Sequence, residues 1–330
     1  MRRPEWIAVV ALGLLVSSLA AGGCGASPSE PSTPPPTQNP PGSAVTLNGR
    51  VVGTVTLQPI AGATVTVGGQ TVTTDAGGEF TIAASTADVR DVTIRGDGLI
   101  PRKTHLSGAT RNTTIDVIQN RAPFSLAFFR QIARNAFDSE GGLEELRPLD
   151  RAPRIHIRTV DEAGRSVDSR TLNLVEAALR DSAAAWSGGR YPLEVVERGS
   201  SSRVGQAGWI TVRWPSVPEE NVCGRATIGT TTGYIELHRN SSCSCGSRDL
   251  VAPRSVRHEL GHVYGYWHTG DTEDLMWGGE WPARYCDQHP SDRETEHAKY
   301  MYARTAGNAD PDNDPSATVL SVRRVIVIDN

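Results

Sequence analysis

The sequence predicts an α+β chain in two structured parts: an all-β unit over residues 44–118 and, after a linking segment with a helix over 119–150, a mixed sheet-and-helix unit over 151–307. Three observations predict it. Through the first part, short runs alternate polar and apolar residues between glycine-rich turns, the period of half-buried strands. Residues 168–187 repeat Leu172, Val175, Leu179, Ala183 and Trp186 at helical spacing. His258, His262 and His268 then follow at intervals of four and six, which a helix and the turn after it bring to one point. The formal charge of −4 gives no electrostatic case for nucleic-acid binding.

The chain starts with a basic Met1-Arg2-Arg3, an apolar run from Ile7 to Val16 and the small-residue exit Leu19-Ala20-Ala21-Gly22-Gly23-Cys24. The run is too short for a comfortable membrane span and reads as an export signal. It resembles a bacterial lipoprotein signal over residues 1–23, which implies that Cys24 becomes the lipidated first residue of the mature chain, although Ala21 stands where leucine is commonest. A plain secretory signal is the alternative, and either places the protein outside the cytoplasm. Residues 24–43 carry seven prolines from Pro28 to Pro41 and no bulky apolar residue. They predict a semi-extended tether between a membrane surface and the folded part.

Within residues 44–118, Ala63–Val67, Gln70–Thr74, Glu79–Ile82 and Asp91–Ile94 predict strands of a small sandwich. Pro59-Ile60-Ala61-Gly62-Ala63-Thr64-Val65 followed by Thr74-Asp75-Ala76-Gly77-Gly78-Glu79-Phe80 is similar to the carboxypeptidase-regulatory-like module, a prealbumin-type sandwich. That resemblance implies a turn shaped by Asp75 and Gly77 and an accessory or spacer role, with glycan or protein binding as the alternative.

Phe124, Phe128 and Ile132 recur every four residues and predict a linking helix over 122–137. Arg154–Arg158 alternates as a strand, residues 168–187 form an amphipathic helix, and Leu193–Val196, Trp209–Trp214 and Gly233–His238 predict three further strands. Ser291-Asp292-Arg293-Glu294 is a capping box that opens a helix running to about Arg304. Residues 308–330 form a tail. Its Asp310, Asp312 and Asp314, interleaved with proline and asparagine, read as a solvated linker in preference to a calcium loop. Val319–Ile328 reads as a lone strand without an evident partner.

The chemistry sits in His258-Glu259-Leu260-Gly261-His262-Val263-Tyr264-Gly265-Tyr266-Trp267-His268, which fits H-E-x-x-H-x-x-G-x-x-H throughout. On a helix, His258 and His262 project from one face toward a single metal ion. Gly265 can take the left-handed conformation that ends the helix, so that His268 returns as a third nitrogen ligand. Three protein ligands leave the fourth position of Zn2+ open for water, the mark of a catalytic site. Glu259 is placed to act as general base and then general acid.

The pattern resembles the metzincin zinc metallopeptidases. Asp274-Leu275-Met276-Trp277 looks like the Met-turn of that family, and Met276 follows His268 at the spacing of its matrixin branch. The resemblance implies a metzincin domain over 151–307 with a twisted mixed sheet, a zinc helix and a C-terminal helix. It further implies one catalytic Zn2+ on His258, His262 and His268, Glu259 as catalyst, Met276 as an apolar floor and peptide-bond hydrolysis. Gly278 stands where some branches carry a tyrosine, so no tyrosine switch is expected. In the family an edge strand binds substrate by β-augmentation, and residues 233–238 are the candidate.

Apart from Cys24, the cysteines are Cys223, Cys243, Cys245 and Cys286, an even set that suits an oxidising compartment. Cys243 and Cys245 are too close to bond each other comfortably, so each joins Cys223 or Cys286. A structural zinc site is the alternative, but Cys-x-Cys lacks its usual spacing. Cys223-Gly224 lies inside the domain, so no cysteine-switch propeptide is expected. Of the other histidines, His105, His156, His289 and His297 carry no metal spacing, and His238 is the one expected to line the cleft. Trp277, Trp281 and Tyr285 either shape the substrate pocket or pack. The expected function is a lipid-anchored, extracytoplasmic zinc endopeptidase acting on protein or peptide substrates. The competing reading is a surface-binding lipoprotein with a vestigial zinc domain, against which the intact Glu259 weighs.

Overall fold

The computed structural model describes residues 44–86, 89–139, 141–239, 241, 243–245, 251–279, 285–316 and 326–329. The signal over 1–23, Cys24, the tether over 24–43 and Trp281 lie outside the described residues, as does much of the tail.

The first part contains β1 (Ala44–Gly53), β2 (Thr64–Val67), β3 (Gln70–Thr73), β4 (Glu79–Ser85), β5 (Val89–Arg95), β6 (Arg102–Ser107) and β7 (Asn112–Val117). They form two sheets, ordered β4-β1-β7 and β3-β2-β5-β6. The alternation is literal in β4, where Phe80, Ile82 and Ala84 are buried and their neighbours exposed. Leu47, Val51, Val65, Val67, Phe80, Ile82, Val92, Ile94 and Ile115 share one apolar core. Asp75 shapes its turn by accepting from Gly77 N and Glu79 N, each at 2.8 Å.

This β unit is fastened to the rest by buried charge. Arg304, whose side chain is fully buried, donates to Asp312, to Asp116 of β7 and to Thr54 Oγ1. Arg102 of β6 donates to Asp312 at 3.0 Å and to Asp314 at 2.9 Å. Residues 312–314 also pair with β6 through Lys103 N to Asp312 O and Asp314 N to Lys103 O, both 2.9 Å. The expected solvated linker is therefore incorrect: Asp312 is 1 % exposed and held by two guanidinium groups. Arginines 202 residues apart in the chain supply that neutralisation, so local composition could not show it; a carboxylate buried alone would be prohibitively costly. Asp310 is likewise bidentate with Arg130, at 2.9 and 2.8 Å.

The second part begins after α1 (Leu126–Arg134), capped by Ser125, and continues with β8 (Arg154–Arg158), α2 (Ser169–Trp186), β9 (Val196–Gly199), β10 (Trp209–Arg213), β11 (Gly224–Thr227), β12 (Gly233–Leu237), α3 (Pro253–Val263), α4 (Asp292–Met301) and β13 (Val327–Asp329). Its sheet is ordered β13-β11-β12-β10-β8-β9. Strands β9, β8, β10 and β12 run parallel, whereas β11 is antiparallel to both β12 and β13. Helix α2 starts where Asp168 accepts from Thr171 N at 2.9 Å, and it buries Leu172, Val175, Leu179, Ala183 and Trp186. Helix α4 has both halves of the capping box, Ser291 and Glu294.

Two expectations change here. Residues 233–238 are not an edge: β12 lies between β10 and β11. Beyond it lies the antiparallel β11, flanked by β12 and β13, whose Gly-Arg-Ala-Thr sequence is too short and too mixed to show a strand period. The strand expected at the end of the chain pairs with β11 through its described residues, and the strand expected at 193–196 begins only at Val196.

Candidate metal centre

Helix α3 lies inside the molecule, with every residue from Arg254 to Val263 buried. Pro253 at its first turn suits a position whose N–H has no helical partner. The helix ends at Tyr264, and Gly265 follows at φ +100, a conformation strained for any side chain. A Cβ at Gly265 would also overlap Arg147 O. Gly265 N donates to His262 O at 2.8 Å and Tyr266 N to Gly261 O at 3.1 Å, which turns the chain back toward the helix face. His268 arrives there, and His258, His262 and His268, all buried, bring one ring nitrogen each within 4.8 Å of one another.

Each imidazole is fixed from behind. His258 Nδ1 lies 2.6 Å from Leu275 O, His262 Nδ1 lies 2.7 Å from Tyr266 O, and His268 Nδ1 lies 3.0 Å from Asp138 Oδ2. Carbonyl and carboxylate oxygens only accept, so each Nδ1 carries the proton and donates it, which makes Nε2 the lone-pair nitrogen. Three imidazoles whose remaining ring nitrogens cluster at one point are a donor set suited to Zn2+. Asp138 follows α1 in the linking segment. Nothing in the sequence near Asp138 marks it, because its role comes from a contact with a residue 130 positions away.

Met276 is fully buried beneath the helix. A Cβ on Gly261, which lies between His258 and His262 in the helix, would overlap the Met276 sulfur and press on Trp186. Glycine at 261 thus lets the floor approach the helix backbone. A side chain at Gly278 would likewise meet His268 and Phe137.

The loop bearing Met276 is clamped by α4. The Glu294 carboxylate accepts from Leu275 N at 3.0 Å, Met276 N at 2.8 Å and Ser291 N at 2.6 Å. Leu275 thereby ties Glu294 to His258 through one peptide unit. The neighbouring Asp274, also fully buried, accepts from Thr269 Oγ1 at 2.8 Å and from Arg293 Nε at 2.6 Å. Burial, and secondly the Asp274 charge, pushes the Glu294 carboxyl up to about 7.

Glu259 is completely buried, and Gly224 at the start of β11 lies so near that a Cβ there would overlap Glu259 Oε1. The acidic side chain next to the metal-facing His258 is thus pressed against the antiparallel strand β11. Cys223, one residue earlier, bonds Cys243, and Cys245 bonds Cys286, so each of the close pair takes a different partner. Arg254 N donates to Cys286 O, joining the second bridge to the start of α3.

The remaining candidates lie elsewhere. His238 is 1 % exposed, with Nδ1 accepting from Glu219 N and Nε2 beside Glu236 Oε1, so it does not line a cleft. Burial of the C-terminal end of β12 between two strands removes it. His105 contacts Asp91, His156 contacts Ser201 O and His297 accepts from Ser125 N. Trp277 is half-buried against Gly279, and Tyr285 donates to Glu273 Oε1 at 2.8 Å. Among the described residues no helix is long and apolar enough to cross a membrane.

No protein-family model matches the sequence, and no curated protein matches it. Among solved structures the chain is similar to metalloproteinase-II from Bacteroides fragilis, at 9% identity and a TM-score of 0.31, over 77% of this chain and 84% of that one.

Two outcomes are expected. Asp138→Asn, which weakens the acceptor behind His268, lowers zinc affinity by about 10- to 100-fold in a competition titration with a chelator, with the fold unchanged by circular dichroism. The raised Glu294 carboxyl keeps its proton in the folded state at pH values where the unfolded chain has released it. Stability therefore falls as pH rises from about 4.5 to about 7. The metal-free protein should lose stability over that window in urea melts at stepped pH, and Glu294→Gln should flatten the slope.

Proposed function

We propose that this protein is a zinc-dependent endopeptidase of matrixin-like metzincin type, exported and tethered outside the cytoplasm through Cys24. The observation that carries the reading is the set of three Nδ1 donors at His258, His262 and His268, each satisfied by a fixed oxygen. A structural site gains little from leaving a fourth position open, whereas a hydrolytic one requires it.

A zinc ion held by these histidines supplies a Lewis acid and brings the pKa of a bound water to about 7. Glu259 accepts the proton of the attacking water and passes it to the leaving amine. Full burial of Glu259 keeps bulk water from competing for that proton. Met276 and the Glu294-clamped loop hold the His258 imidazole in the donor tautomer. Gly224 leaves room for the Glu259 carboxylate beside the strand along which a peptide would lie. Two disulfides on the loops around α3 suit the oxidising compartment that an export signal implies. The β unit over 44–118 serves as an accessory module between the tether and the catalytic part, and protein or peptide chains are the substrates.

The test compares the exported form with Glu259→Ala on a mixed peptide library, with bound zinc measured in both. One zinc in each protein and cleavage by the unaltered one alone is expected, with activity lowered by several orders of magnitude in the variant. One zinc in each and no cleavage by either would remove the enzyme reading.

A further inference from the structure

The outer edge of β11 is covered by this chain's own residues. Strand β13 lies antiparallel on it, with Thr227 opposite Val327, Ala226 opposite Ile328 and Arg225 opposite Asp329, and Ile228 N donates to Ile326 O at 3.0 Å. As β13 advances from 327 to 329 it moves along β11 toward Gly224, the residue pressed against Glu259. An extended segment is therefore paired through its backbone with the strand whose first residue, Gly224, packs against Glu259.

The occupant is weakly held. Strand β13 is three residues long, Val327 is 42% exposed, and none of Ile326, Val327 and Ile328 belongs to either apolar core. A short strand with few buried apolar contacts is the kind of element that opens locally at low cost. A strand edge freed in this way binds another extended chain by strand addition, with alternate side chains setting preference. The occupant's Ile326-Val327-Ile328 is β-branched throughout, which suits it to extended pairing.

We propose that residues 326–329 occupy the outer edge of β11 in the resting protein as an intramolecular competitor of the extended peptide substrate, and that the edge prefers segments rich in β-branched aliphatic residues. This rests on the peptidase reading above. Displacement of β13 by a substrate then becomes the step that opens the site, and the chain's own sequence indicates the residues that the edge accepts.

Three proteins test this: the exported form, the same chain lacking residues 317–330, and Ile328→Pro. The Ala226–Ile328 pair is of the same kind as the Ile228–Ile326 pair two residues along, so Ile328 N–H faces Ala226 O and proline removes that bond without shortening the chain. Each protein is made also with Glu259→Ala, and a fluorescein-labelled peptide of residues 323–330 is titrated against it by polarisation. If β13 is paired nine-tenths of the time, the peptide binds the shortened chain and Ile328→Pro about tenfold more tightly than the full chain. In the active forms, KM for a library-derived peptide falls by the same factor with kcat unchanged. Equal peptide affinity in all three proteins, or binding to none, overturns the proposal. A full chain that self-associates with concentration in gel filtration, where the shortened chain does not, assigns the strand to a second copy and overturns the intramolecular form. Should no protein cleave while the tenfold binding difference stands, the peptidase reading fails and the occupied docking edge survives it.

Discussion

Three imidazoles sit within one cluster because each donates its Nδ1 proton to an oxygen held by a different part of the fold. Tyr266 O comes from the turn after the helix, Leu275 O from the loop beneath it, and Asp138 Oδ2 from the segment behind α1. Moving any of these oxygens rotates a ring or changes its tautomer, and the shared nitrogen position is lost. Much of the surrounding architecture serves to hold those acceptors. Glu294 ties the Leu275 loop to α4, Trp186 of α2 donates to Arg257 O of α3, and Gly265 fixes the turn that carries Tyr266.

Glu294 and Asp274 show the cost of that arrangement. Both carboxylates are fully buried close together, and burial with mutual repulsion raises Glu294 toward neutrality. The loop is offered two hydrogen-bond acceptor contacts in return, and the N-cap of α4 a third. A neutral apolar pair at these positions would relieve the charge but leave the Leu275 and Met276 amides without acceptors, which is costly in a buried site. The charge therefore stabilises the position of His258 at some expense to the fold as a whole.

Much of this was legible in the sequence wherever a local period or a cap carries the information. The helix over 169–186, the strand over 154–158 and the capping box at Ser291 follow from side-chain spacing alone, and the histidines that cluster are those whose spacing in the motif predicts it. What escaped depends on residues distant in the chain. Asp138 acquires its role only through His268, and Asp312 becomes a buried ion through Arg102 and Arg304 instead of a solvated one. Strand β11 is too short to show a period, so spacing points to its better-patterned neighbour β12 as the edge, whereas the sheet places β12 between β10 and β11.

The most direct test of the central claim is X-ray absorption at the zinc edge on the purified, zinc-loaded protein. A first shell of three imidazole nitrogens and one oxygen, at roughly 2.0–2.1 Å, is the expected result. Sulfur in the first shell, a closed shell of four protein ligands, or fewer than three nitrogens would contradict it.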